Sequence, residues 1–166
     1  MKHQAAVITV SDKCARGERA DTCGPAVRAM LEEAGFAVCH SAVVPGAFEA
    51  ICAELIACAD ERGLGLVVTL GGTALSPREV TPEATLSVVE RELRGIPEAM
   101  RWAGLQVTPR ACLSRGVAGV RGRTLIVNLP GSEKAAGENL AAVLGALPHA
   151  LDMLAAPGPT DHPQEK

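Results

Sequence analysis

The sequence predicts a three-layer α/β/α domain built around a mostly parallel central sheet. Three observations predict it. The runs Ala5–Val10, Leu64–Leu70 and Thr124–Leu129 are apolar almost throughout, as in strands covered on both faces. The segments between them carry apolar residues at helical spacing. Strands that alternate with helices close into a parallel sheet with helices on both sides.

Ala5–Val10 is the first strand, followed by a polar stretch from Ser11 to Thr22. A helix is expected from about Gly24 to Glu33, closed by Gly35. Phe36–Val44 reads as the second strand, ended by Pro45-Gly46. From Ala47 to Arg62, Ile51, Leu55 and Ala59 recur at spacing four beside Cys52 and Ile56, giving a helix with one apolar stripe and Gly63 after its end. Leu64–Leu70 is the third strand and runs into Gly71-Gly72-Thr73. Thr81 is expected to cap a helix that holds Pro82 at its first position, Glu83 at its positive end, and reaches Leu93. A shorter helix covers Pro97–Trp102, short strands cover Ala111–Val120, and Arg121-Gly122-Arg123 is a turn. Thr124–Leu129 is a further buried strand, and Pro130-Gly131-Ser132 opens one long last helix with Leu140, Leu147 and Leu154. With no internal repeat and no low-complexity segment, residues 1–156 read as one domain and 157–166 as a flexible, Pro-rich tail.

Bulk composition removes several function classes. Aromatic residues are 2% of the chain, with no Tyr, so base-stacking RNA platforms are excluded. Net charge is −3 with no basic patch, which argues against nucleic-acid binding. A small phosphate-bearing ligand needs no basic surface, because helix N-termini and backbone N–H groups hold anions. The six cysteines include no CxxC pair, so a zinc reading is weak, and Cys52 and Cys58 read as apolar helix residues. No segment is long and apolar enough to span a membrane, and the start resembles no signal peptide, so a cytoplasmic protein is expected.

Ligands in open α/β sheets bind at the carboxyl ends of the strands. Three such ends carry unusual residues: Ser11-Asp12, Gly71-Gly72-Thr73 and Pro130-Gly131-Ser132. The paired glycines let backbone approach an anion closely, or simply form a tight turn. Ser132 offers a helix N-terminus to an anion, or simply caps the helix. Ser114-Arg115 reads either as a phosphate-binding pair or as a strand edge. Asp12, Asp21, Glu49, Glu79 and Glu83 are the acids near these loops; a pair of them suits Mg²⁺, and singly they read as solvated charges. The four histidines have no ligand-like spacing and read as structural or surface groups.

In order, the pieces are Thr9–Asp12, Gly17–Gly24, Thr69–Thr85 (TLGGTALSPREVTPEAT), Gly95–Arg101 (GIPEAMR), Leu113–Gly122 (LSRGVAGVRG) and Thr124–Ser132 (TLIVNLPGS). This array resembles the molybdopterin-binding domain of molybdenum cofactor biosynthesis proteins, the family of the bacterial MogA and MoaB proteins and the gephyrin G domains. The likeness runs from about Ala5 to Leu154. It implies the molybdopterin-binding fold, a homotrimer, and partners among other molybdenum cofactor biosynthesis proteins. It also implies Mg²⁺- and ATP-dependent adenylylation of molybdopterin with release of pyrophosphate. Gly71, Gly72 and Thr73 then match the nucleotide-phosphate loop, and Pro130, Gly131 and Ser132 the loop near the pterin. Ser11 and Asp12 match the edge of the same pocket. Glu79, Ser114 and Asp12 are the implied catalytic set, and Glu79 with Glu49 the implied metal ligands.

Three departures from the family pattern stand out. Ala74 replaces the last glycine of Gly-Gly-Thr-Gly, and alanine tolerates positive φ poorly. Glu79 stands where aspartate is usual. Gly46 stands where active members often carry an acid, leaving Glu49 as the expected substitute. A non-catalytic molybdopterin carrier is therefore the alternative to an adenylyltransferase, and a generic nucleotide-binding domain the third reading.

Overall fold

Along the first strand, successive side chains enter two different cores, one on each face of the sheet. The computed structural model describes residues 3–156 and 158. Its elements run β1 (Gln4–Val10), α1 (Asp12–Ala15), α2 (Cys23–Glu33), β2 (Ala37–Val44) and α3 (Phe48–Ile56), which passes into a π-helical turn, Ala57–Glu61. There follow β3 (Leu66–Leu70), α4 (Thr81–Val88), β4 (Arg91–Glu92), α5 (Gly95–Leu105) and a 3₁₀ turn, Pro109–Leu113. The last elements of the described residues are β5 (Ala118–Arg121), β6 (Thr124–Leu129), α6 (Glu133–Val143), a 3₁₀ turn Leu144–Ala146, and α7 (Leu147–Ala155).

The six strands lie in the order β2-β1-β3-β6-β5-β4. The first four are parallel, and β5 and β4 are antiparallel at one edge. Ala5 and Val7 join the core formed with α2, α5, α6 and α7, while Ala6, Ile8 and Val10 join the core formed with α3 and α4. This is the expected three-layer sandwich. Strand order reverses between β1 and β3, so the crevice beside their carboxyl ends is the natural ligand site.

Buried polar groups tie the layers together. Asn128 on β6 donates to the Thr69 hydroxyl on β3 at 3.0 Å and to the Thr85 hydroxyl on α4 at 2.9 Å, and its carbonyl accepts the Val117 N–H at 3.2 Å. Cys58, in the π-helical turn, is fully buried; that burial, and then the Glu54 charge, pushes its thiol up to about 12.

Several expectations need correction. The helix from Thr81 stops at Val88 instead of reaching Leu93. Arg121 takes the Val88 carbonyl at 2.9 Å, Glu90 N–H donates to Val120 and Leu93 N–H to Ala118, so the segment is captured by the β5 edge. Thr81 does not cap this helix: Val80 holds that place, and Thr81 is a fully buried first-turn residue whose N–H donates to Gly72. Ala111–Leu113 belongs to a 3₁₀ turn rather than a strand. The short helix expected at Pro97–Trp102 extends over Gly95–Leu105. The polar stretch after β1 contains a four-residue helix, capped by Ser11. The last helix is broken into α6 and α7 by the 3₁₀ turn at Leu144–Ala146, with Pro148 in the first turn of the second piece, where its missing N–H costs nothing. The expected tail 157–166 lies, apart from Gly158, outside the described residues. Among the described residues, no helix is long and apolar enough to cross a membrane.

Candidate functional site

Parallel pairing brings the ends of β1, β3 and β6 side by side: Thr9 is level with Leu70, and Leu70 with Leu129. The chain leaves β3 through Gly71 (φ +102°) and Gly72 (φ +70°), both in the left-handed region. A Cβ at Gly71 would stand 2.7 Å from the Val10 carbonyl, and one at Gly72 would collide with the Thr81 hydroxyl. Glycine is therefore required here by conformation and by close approach. Gly131 packs against the same turn, and a Cβ there would stand 3.2 Å from the Gly71 Cα.

Three cavities open around this junction. The largest, about 740 Å³, is lined by Ser11, Arg19, Asp21, Gly71, Gly131 and Ser132 among others. A second, about 310 Å³, lies beyond the glycines and is lined by Thr73, Ser114, Pro130 and Gly131 with residues of α5 and α6. The smallest, about 150 Å³, holds Asp12, Gly46, Arg78 and Thr81. Gly72 and Glu79 line all three.

Each expected site residue can now be placed. Ser11 accepts the Cys14 N–H at 3.2 Å as the cap of α1, and Arg19 donates to it at 3.4 Å. Asp12 reaches across to accept the Gly46 N–H at 2.8 Å. A Cβ at Gly46 would lie 3.6 and 3.8 Å from the two Asp12 carboxylate oxygens, so Asp12 already delivers a carboxylate to the place where an acid at 46 would point. Ser132 caps α6 by accepting the Ala135 N–H at 3.2 Å. Thr73 and Ser114 face the second cavity rather than the first. Glu49 lies exposed in the first turn of α3 and lines none of these cavities.

Glu79 is held by its own loop. Its two carboxylate oxygens accept the Ala74 N–H at 3.3 Å and the Ser76 N–H at 3.1 Å. The loop is clamped from outside by Arg115, which donates to the Ala74 carbonyl at 2.8 Å and the Glu79 carbonyl at 2.7 Å and pairs with Glu83. The phosphate-binding reading of Arg115 gives way to this role, because all three of its guanidinium nitrogens donate to the loop or to α4 and it lines none of the three cavities. Asp21 is likewise a structural acid: it accepts the Gly24 N–H at 3.0 Å at the start of α2 and the Thr9 hydroxyl at 2.7 Å. Ala74 carries no backbone strain, since no residue other than glycine has positive φ among the described residues.

Sequence reasoning passed over Arg19, Arg78 and Thr81. The two guanidiniums lie on loops at the strand ends, where a cation in a polar stretch was the available signal. Thr81 Oγ1 is buried with no hydrogen-bond partner among the described residues, and nothing in the sequence separates it from an ordinary helix cap. Cys23 lines the largest cavity, but burial, aided by the Asp21 and Glu133 charges, pushes its thiol up to about 11. It stays protonated near neutral pH and offers no nucleophile.

Residues 6–149 match the family described as "Probable molybdopterin binding domain". The chain is 39% identical over 150 residues to the molybdopterin adenylyltransferase of Helicobacter pylori J99, covering 89% of this chain and 85% of that protein. It is also 39% identical over 150 residues to the molybdenum cofactor synthesis protein cinnamon of Drosophila melanogaster, but spans only 25% of that longer protein. Among solved structures, the molybdopterin biosynthesis enzyme MoaB of Thermus thermophilus superposes with a TM-score of 0.87 at 52% identity, covering 92% of this chain and 96% of that one. The strand-end crevice sits on a fold and sequence shared with these proteins, and the chain belongs to the molybdopterin-binding domain family of molybdenum cofactor biosynthesis proteins.

Proposed function

We propose that this protein is a molybdopterin adenylyltransferase that uses Mg²⁺ and ATP. The observation that carries the reading is the convergence of three cavities on Gly72 and Glu79. Two substrates occupying the larger cavities would bring their phosphates together at this junction. A terminal phosphate oxygen of molybdopterin attacks the α-phosphorus of ATP. The bond from that phosphorus to the bridging oxygen breaks, and pyrophosphate leaves with the electron pair.

Such a transfer needs positioning and charge neutralisation more than covalent help. Gly71-Gly72 lets phosphate approach the backbone, the capped N-terminus of α6 supplies N–H donors, and Arg19 and Arg78 supply positive charge. The smallest cavity fits Mg²⁺ by the chemistry of its donors: the Asp12 and Glu79 carboxylates and the unpartnered Thr81 hydroxyl are all hard oxygen donors. Mg²⁺ bound there would withdraw charge from the phosphates. In this proposal Asp12, not Glu49, is the second metal ligand beside Glu79.

Purified protein mixed with molybdopterin, ATP and Mg²⁺ is expected to yield adenylyl-molybdopterin and pyrophosphate, followed by chromatography and mass. Gly46→Asp is expected to change the rate by less than about fivefold, because Asp12 already fills that place. Bound pterin without product, together with a large gain of activity in Gly46→Asp, would establish the carrier reading instead. Absence of pterin binding would overturn both.

The homotrimer is part of the same proposal. Trp102 (69% exposed), Leu105, Val107 and Leu113 leave an apolar surface on α5 and the turn after it, which a second copy could cover. Light scattering is expected to give three times the chain mass, and Trp102→Glu to lower it; a monomeric parent would refute the trimer. A cytoplasmic setting, where exposed thiols such as Cys39 and Cys112 stay reduced, completes the proposal.

A further inference from the structure

On the α3 side of the sheet, away from the three cavities, His40, Glu54 and Cys58 meet. His40 Nε2 lies 2.6 Å from Glu54 Oε1, and Cys58 Sγ lies 3.6 Å from the same oxygen. One donor atom of each lies within 4.8 Å of the others, and this is the trio with metal-ligating geometry among the described residues.

Two local irregularities assemble it. Ala5 pairs with Val38, but Ala6 pairs with His40, so Cys39 is an extra residue in β2. Strand alternation alone would turn His40 to the face of Val38, which packs toward α2. The bulge turns it instead to the face of Ala6, whose core contains Ile51, Leu55 and Cys58. On the helix side, Glu54 and Cys58 are four residues apart and so share a face. The helix then widens at Ala57–Glu61 into a π turn, a geometry that recurs at functional sites.

We propose that His40, Glu54 and Cys58 form a Zn²⁺ site with one coordination position open to water or a small ligand. Imidazole nitrogen, carboxylate oxygen and thiolate sulfur are the three donor types zinc accepts, and three protein ligands leave the fourth tetrahedral position free. Thiolate and imidazole do not suit Mg²⁺ or Ca²⁺. Tetrahedral bond lengths put neighbouring donors roughly 3.3–3.7 Å apart, so the Cys58–Glu54 spacing already suits the ion. The shorter His40–Glu54 contact must open by roughly 0.7 Å to reach that range. Their side chains are 23% and 20% exposed, which gives them room to do so. On binding, the ion takes the place of two protons: the Cys58 thiol proton goes to solvent, and the proton between His40 Nε2 and Glu54 moves to His40 Nδ1, leaving Nε2 and the carboxylate free to ligate. Arg62, 3.9 Å from Glu54 Oε1 and 38% exposed, opposes the cation and must swing outward into water. The site shares no residue with the proposed adenylylation chemistry, and its test does not depend on that activity.

The metal-free full chain titrated with Co²⁺ is expected to bind one ion and develop a thiolate-to-cobalt charge-transfer band, which Zn²⁺ then abolishes by displacement. Cys58→Ser removes the band. His40→Gln and Glu54→Gln weaken binding by about tenfold or more, while Cys39→Ser and Cys112→Ser leave it unchanged. Circular dichroism checks that each variant folds; if buried Cys58→Ser does not, the half-buried His40→Gln decides. Absence of the thiolate band, a band that survives in folded Cys58→Ser, binding by His40→Gln as tight as by the parent, or a band lost in Cys39→Ser overturns the site.

Discussion

Glu79→Gln is expected to lower the rate of molybdopterin adenylylation by about 100-fold or more, the scale of losing one charge-stabilising group or metal contact in a transfer site. The carboxylate is the charged side chain that lines all three cavities. It also accepts two backbone N–H groups of its own loop, so the variant must be read against a purely structural role. Glutamine keeps one acceptor oxygen, and the Arg115 clamp on the Ala74 and Glu79 carbonyls remains. The loop should therefore lose only about 1 kcal/mol. A metal role predicts that the Mg²⁺ concentration for half-maximal rate rises with the loss of rate. It also predicts that Glu79→Asp, the residue usual in the family pattern, keeps the rate within about tenfold. If the rate falls while the Mg²⁺ dependence is unchanged, Glu79 is a loop anchor; if the rate is unchanged, the junction is not where transfer occurs.

Asn128→Ala is expected to destabilise the fold by about 3 kcal/mol or more. It removes the amide that joins β3, β6 and α4 and leaves three groups without partners: the Thr69 and Thr85 hydroxyls and the Val117 N–H. Each buried orphan costs about 1–3 kcal/mol, and the small cavity left behind adds to the loss. For a chain of this size the midpoint of thermal unfolding should fall by roughly 6–12 °C. Denaturant melts of parent and variant would measure it. A loss below about 1 kcal/mol would mean that water or a rotated threonine takes the place of the amide. Because Asn128 lines none of the three cavities, the pterin affinity of the folded variant should stay close to that of the parent.

The layers of the fold were legible because strands covered on both faces must be apolar throughout, and β1, β3 and β6 are fully buried after their first residue or from it. Their carboxyl ends were legible as a site for a related reason: a parallel sheet aligns those ends, and Ser11-Asp12, Gly71-Gly72-Thr73 and Pro130-Gly131-Ser132 are not residues that a buried core uses. What failed was decided by partners far along the chain. The segment after Val88 has helical spacing, but β5 offers it hydrogen bonds that a helix end cannot match. Thr81 reads as a cap until its N–H is found on Gly72.

The sequence by itself determined the α/β class, the glycine turn and the family, because each rests on local pattern: apolar periodicity, residues that permit positive φ, and contiguous motifs. Only the tertiary structure decided that Asp12 fills the place beside Gly46, 34 residues away, and that Arg115 braces a loop instead of facing phosphate. It alone decided, too, that a bulge at Cys39 turns His40 toward Glu54 and Cys58. The physical reason is common to all three. A side chain's chemistry depends on what lies within a few ångströms, and in a sheet of parallel crossovers those neighbours come from distant parts of the chain.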